Sequence, residues 1–247
     1  MTRSELKTWS FVLSFLVAFS VSTTRSLGSS GLADDPDDLY RHRDDLSSAK
    51  RAADLWAPLA RSTFEPAWKL ARISYWLGTK LPGADRRSAL ERGITAAETA
   101  ARLEPGRPEG HFWLAANMGA LAESFGLLQG LKYHGRIKDE LERVIAIDAD
   151  WQDAIAECAL GQWYFEVPGW LGGSRTKAKE HLERALTAHP RSKTALSYLA
   201  DVLIAEGRTT EARGLLQRIL QSPLDPEWTP EDTDLQKKAA ERLRTLK

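Results

Sequence analysis

Between Pro108 and Pro190 the apolar residues of this chain recur at helical spacing, and one order of residues within that stretch narrows the possible folds sharply. Leu160-Gly161 is followed by Tyr164, and then by Ala178, Leu182, Ala185 and Pro190. A large-small pair, an aromatic three residues on, then Ala, a large residue, Ala and Pro describe two antiparallel helices. Their backbones come close where the side chains are small. One such unit cannot bury its apolar face alone, so copies of it must stack.

The same large-small pair occurs at Leu70-Ala71, Leu114-Ala115 and Leu199-Ala200. Helix pairs are therefore expected over 65–105, 108–149, 152–190 and 193–223, with Pro105, Pro190 and Pro223 ending three of them. A helix over 38–57, closed by Pro58, should precede them. A C-terminal helix over 230–247, with Leu235, Ala239, Leu243 and Leu246 among charged residues, reads as a cap with a polar outer face, and Trp228 as its staple. The spacing resembles the tetratricopeptide repeat, so the expected fold is an all-α, tetratricopeptide-like helical-repeat solenoid with four helix pairs and a capping helix. The large-small pairs stand 44, 46 and 39 residues apart, against about 34 in the standard repeat. The surplus is expected as loop insertions at 78–84, 126–135 and 167–175, which stacking would bring to one edge.

The N-terminus is different in kind. Arg3 and Lys7 precede an apolar run from Trp9 to Val21, and Ala18-Phe19-Ser20 offers the small residues a signal peptidase needs. The run is shorter than the roughly 20 residues that span a bilayer. Residues 1–26 are read as a cleaved signal peptide and 27–37 as a disordered acidic leader, whose last aspartates also cap the next helix. The expected location is periplasmic or secreted, with membrane contact only through the N-terminal segment if it stays uncleaved. No cysteine lies near the cut, so no lipid is attached there. Without residues 1–26 the chain keeps 31 basic and 33 acidic residues. That balance argues against nucleic acid or an anionic membrane surface as partner. Cys158 is the only cysteine and reads as a buried, inert thiol.

Searching for chemistry yields little. The chain has no His-Glu-x-x-His pair, no Gly-x-Ser-x-Gly elbow and no phosphate-loop lysine, so it is expected to be non-enzymatic, with no cofactor and no metal site. Gly172-Gly173-Ser174 reads as a sharp turn leading to an N-cap. Nine tryptophans are many for this length, and stacked repeats build a concave wall on which aromatic residues serve as contact anchors. The candidate partner- or ligand-binding residues are Tyr75, Trp76, His111, Tyr133, Trp163 and Trp170. Tyr133 and Trp170, inside insertions, should be the most exposed, and His111 should be packed or hydrogen-bonded.

Arg107-Pro108-Glu109-Gly110-His111-Phe112-Trp113-Leu114-Ala115, the stretch 126–137, and Leu160-Gly161-Gln162-Trp163-Tyr164-Phe165-Glu166-Val167-Pro168 together resemble the T component of tripartite ATP-independent periplasmic (TRAP) transporters. They are similar also to the repeat domain of the regulator of microtubule dynamics proteins. The first resemblance implies a periplasmic helical scaffold for protein-protein interaction in solute uptake, partnered by a periplasmic solute-binding protein and assembled as a homotrimer with a central pore. The alternative reading is a carrier that holds a small apolar ligand in an aromatic groove or oligomeric pore.

Overall fold

The computed structural model describes residues 34–246. The expected signal segment and the leader up to residue 33 lie outside the described residues. Among those described, the chain forms α1 (Pro36–Arg41), α2 (Leu46–Trp56), α3 (Phe64–Lys80), α4 (Gly83–Leu103), α5 (Pro108–Phe125), α6 (Leu127–Ile147), α7 (Trp151–Glu166), α8 (Arg175–Ala188), α9 (Lys193–Ala205), α10 (Thr209–Gln221) and α11 (Thr229–Thr245). The helices pack as consecutive pairs, α3 with α4, α5 with α6, α7 with α8 and α9 with α10. First helices also meet, α3 against α5 and α7 against α9. This is the expected all-helical solenoid. No described helix is long and apolar enough to cross a membrane.

The seams between helices depend on missing side chains. A Cβ on Gly78 would lie 2.3 Å from a methyl of Leu90, and one on Gly161 would lie 2.6 Å from Cγ of Leu182. Gly110 is the least forgiving, because its Cβ would meet backbone that cannot swing aside, the nitrogen of Ala101 at 2.5 Å. Around these contacts Ala71, Leu90, Ala97, Leu114, Met118, Leu160, Leu182, Leu196 and Leu216 are buried in one core. Asn117, fully buried, donates from Nδ2 to the carbonyls of Ala71 (3.0 Å) and Trp113 (2.7 Å) and so ties α5 to α3.

Side-chain caps set several helix starts. The Ser174 hydroxyl accepts from Lys177 N and begins α8 as expected, and Ser192 does the same for α9. Asp45 accepts from the amides of Ser47 and Ser48. That cap divides the single helix expected over 38–57 into α1 and α2. Asp35 caps α1, so the last acids of the expected leader belong to a helix start.

The insertions are corrected in two of three places. Leu81 and Pro82 alone separate α3 from α4, and Gly126, at φ 83°, alone separates α5 from α6. The surplus residues lengthen the helices instead, and α4 and α6 each run to 21 residues. Gly130 and Gly135 are absorbed into α6, because a glycine costs about 1 kcal/mol in a helix and a long amphipathic face outweighs that. The third insertion is a true loop. It carries a 3-10 turn at Gly169–Leu171, and Gly173 passes so close to the Val167 carbonyl that no side chain fits.

At the start of α7 the backbone of Gln152, Asp153 and Ala154 is left-handed, with φ between 46° and 58°. Such a turn costs about 1–2 kcal/mol per non-glycine residue. His189 braces it, with one ring nitrogen 2.6 Å from Asp150 and the other 3.2 Å from Asp153.

The C-terminal helix does more than cap the stack. It packs on α9 and α10, and Gln236 fastens it to the carbonyls of Ile219 and Ser222 at the end of α10. Its first turns also reach across to Arg43, in the link between α1 and α2, and to Lys80 of α3 at the opposite end of the repeats. Trp228 lies half-buried at its N-cap, packed on the core as the expected staple.

Candidate functional site

Lys69, Arg72, Trp76 and Lys80 recur at three- and four-residue spacing and therefore share one face of α3. That face meets two other parts of the chain. From the N-terminal side, Tyr40 of α1 inserts its ring between two guanidiniums, with Arg43 at 4.3 Å and Arg72 at 3.7 Å from the ring centroid. Arg72 also lies 4.8 Å from the Trp68 ring and Arg43 lies 5.6 Å from that of Trp76. The Trp76 indole N–H donates to the Arg43 carbonyl at 2.8 Å. Cations over aromatic faces gain most when removed from water, and Arg43 and Arg72 are 1% and 6% exposed.

From the C-terminal side come the carboxylates. Arg43 forks onto Glu231, Nε to Oε1 at 3.0 Å and Nη2 to Oε2 at 2.5 Å, and also donates to the Glu227 carbonyl at 2.7 Å. Arg72 meets Glu227 at 3.4 Å, and Lys80 pairs with Asp234. Glu227, Glu231 and Asp234 follow one another at four- and three-residue spacing; of their partners, Arg72 and Lys80 lie two turns apart on α3, and Arg43 lies in the link between α1 and α2. Further along, Asp232 takes Lys193 at 2.6 Å and Arg242 reaches Asp201 at 2.9 Å, both partners lying on α9. The segment 225–246 thus spans from the first repeat to the last.

The two arginines are not equally served. Arg43 is bound on every side. Arg72 has one long ion pair, to a carboxylate that is 60% exposed, and its Nε has no partner among the described residues. The buried Trp68 indole N–H beside it also has none. Burial pulls the Arg72 guanidinium below the ordinary arginine value, partly offset by Tyr40 and Glu227. Burial pushes the Tyr40 phenol up to about 12, while both arginines pull the other way. A buried guanidinium short of acceptors is costly, so it is a strong site for a carboxylate.

A second group lies farther along the repeats. The phenols of Tyr75 on α3 and Tyr198 on α9 are both raised by burial, the former to about 12, with Glu123 adding to each. Burial also raises the carboxyls of Glu166 and Asp201, although Arg242 opposes the shift at Asp201.

The six residues singled out from the sequence do not form one site. Trp76 belongs to the arginine pocket. Tyr75 packs on Trp113, ring centroids 5.8 Å apart, and is half-buried. His111 is buried between α5 and α6, Nδ1 at 2.6 Å from Glu140 and Nε2 at 3.1 Å from the Pro105 carbonyl, packed and hydrogen-bonded as expected. The Trp163 indole N–H donates to the His134 carbonyl at 2.8 Å, joining α7 to α6. Tyr133 lies on α6 rather than in a loop, and packs half-buried against the core beneath Lys132. Trp170 alone stands free, 76% exposed in the true loop. Sequence reasoning missed Tyr40, Arg43, Trp68 and Arg72. The charged i, i+4 stripe on α3 was the available signal.

Comparison with known proteins agrees with this architecture. A family model described as regulator of microtubule dynamics protein 1-3 matches residues 35–170, and a tetratricopeptide repeat model matches residues 173–229. No curated protein matches. Among solved structures, the thermophilic TPR protein TTC0263 of Thermus thermophilus is similar, with 21% identity over 84% of this chain and 97% of that one and a TM-score of 0.63. MamA is 18% identical over 87% of this chain and 98% of that one, with a TM-score of 0.48. The likeness to TTC0263 shows a shared fold. Since the first family match spans more than half of the sequence, the chain belongs to the regulator of microtubule dynamics protein 1-3 family.

Proposed function

We propose that this protein is a non-enzymatic periplasmic or secreted scaffold that binds another protein through the α3 face of its solenoid, in association with a TRAP-type solute-uptake system. The observation that carries the binding role is the pocket of Tyr40, Arg43, Trp68, Arg72 and Trp76. Buried cations over aromatic rings are the residue types that anchor protein interfaces. The extracytoplasmic location is supported by the basic residues and apolar run of the first 21 positions. The link to solute uptake is supported by the segments around His111 and Leu160-Gly161 that resemble the T components.

The test is affinity capture of the full chain from envelope extract, alongside an Arg72→Gln variant with unchanged helix content. A stoichiometric protein that is lost with the variant supports the binding role, and a solute-binding protein in that position supports the uptake role. Recovery of no stoichiometric protein counts against both. Fractionation of cells that express the whole chain tests the location, and finding the protein in the cytoplasm overturns it.

A further inference from the structure

Resting on that reading, we propose that the Arg43–Arg72 pocket is a receptor for paired carboxylates on an acidic helical segment of the partner, and that residues 227–234 of this chain occupy it as a placeholder. The placeholder must leave before the partner enters.

Three observations support this. First, the occupant has the chemistry of a ligand. Glu227, Glu231 and Asp234 present carboxylates at helical spacing to Arg72, Arg43 and Lys80, which lie on other elements. Residues 225–236 carry five acidic residues and no basic one. Second, the fit is incomplete. Arg72 Nε and Trp68 Nε1 are buried donors without acceptors among the described residues, and the Glu227 carboxylate that should serve them stays mostly in solvent at 3.4 Å. A carboxylate placed deeper would give the buried Arg72 guanidinium the acceptor that Nε lacks, so a better ligand than the chain's own is chemically defined. Third, residues 227–234 are held by ion pairs and by one half-buried apolar side chain, Trp228. Within α11 the buried residues are Asp232 and Ala239, with no large apolar anchor fully covered. A segment so attached can be displaced by a ligand that offers the same charges to Arg43, Arg72 and Lys80.

The probe is a fluorescent peptide of residues 225–236, with a control peptide in which its glutamates and aspartates are glutamine and asparagine. It is titrated by anisotropy against the whole chain, against Glu227→Gln/Glu231→Gln, and against the same double variant with Arg72→Gln added. Emptying the pocket raises the competent fraction, so the acidic peptide should bind the double variant roughly tenfold more tightly than the natural chain. The gain should disappear with the control peptide and with Arg72→Gln. Glu227→Gln alone, which alters a largely exposed carboxylate, should show a smaller gain and serves if the double variant loses helix content.

Equal binding by the natural chain and the variants, or binding indifferent to Arg72, overturns the receptor while leaving the scaffold role to the capture experiment. Hydrogen exchange that shows α11 loosened with no gain in peptide binding overturns it too, since the contact would then be a clasp only. Light scattering that shows a dimer joined through exchanged C-terminal helices would make the occupant a second copy of this chain, and that also overturns the proposal.

Discussion

Arg43 and Glu231 stand 188 residues apart in sequence and meet in a two-pronged ion pair, with the guanidinium fully buried and the carboxylate one quarter exposed. Arg43 donates to Glu231, to the Glu227 and Tyr40 carbonyls, and faces the Tyr40 and Trp76 rings, while Arg72 stands across the Tyr40 ring. Removing one member of a buried pair costs about 3–5 kcal/mol, because the other stays buried. Glu231→Ala should therefore lower the unfolding free energy by about that much, read from urea midpoints. Asp38→Ala, which breaks the exposed pair with Arg41, should change it by about 0–1 kcal/mol. Equal effects would mean that Arg43 finds another acceptor.

Glycines separate seam from surface. Gly110→Ala forces a Cβ onto the Ala101 backbone, which has no flexible end to move aside, and should destabilise by about 1–3 kcal/mol or more. Gly119, on the same helix, has nothing within 4 Å of its Cβ position. Gly119→Ala should stabilise by about 0.5–1 kcal/mol through helix propensity. Thermal unfolding of the two variants checks the contrast.

Two carboxylates should respond to pH in opposite senses. Burial pulls the Glu157 pKa up, yet hydrogen bonds from His181 (2.6 Å) and Arg184 (3.0 Å) hold it below the usual glutamate value. Its folded pKa lies under its unfolded one, so its contribution is present above the unfolded pKa and is lost as pH falls through the folded pKa. Glu157→Gln should be less stable than the natural chain near neutral pH, with the gap closing in acid. Glu166 is raised, first by burial and then by Glu123 and Asp201. The natural chain loses stability there as pH rises from the unfolded pKa through the folded one. Glu166→Gln should gain on the natural chain over that rise, and denaturant midpoints across a pH series follow both.

Cys158 is fully buried and its thiol is pushed up to about 12, with burial the main cause. Thiolate is the reactive form, so the folded protein should resist a thiol reagent that labels it at once in denaturant. Fast labelling of the native chain would show that the contact between α7 and the Ser192 cap opens readily.

Local chemistry was legible in the sequence. The Leu160-Gly161 seam against Leu182 follows from residue size and helical period, and Ser174 was recognisable as a cap because a cap needs only its next three residues. Trp170 was expected to be free because proline and glycines surround it. Tyr133 was misplaced because Gly130 and Gly135 look like loop punctuation, whereas the apolar face running through Ile137 and Leu141 keeps α6 continuous. The stripe of Lys69, Arg72, Trp76 and Lys80 marks a face of α3 in the sequence, but that this face is a covered pocket is not legible there, for a different reason. Arg72 lies between Ala71 and Ile73 and reads as the solvent-facing charge of an amphipathic helix. Only the return of Glu227 and Glu231 from the far end of the chain reveals that this face is covered. Pairing over such separations leaves no periodic trace.

Stacked repeats ordinarily melt from their termini inward, since each end unit has a neighbour on one side only. Here residues 227–234, while seated, tie the last unit to the first, so fraying at one end costs contacts at the other. Seated, the segment couples a row of semi-independent modules end to end; displaced, it returns the two ends to melting separately.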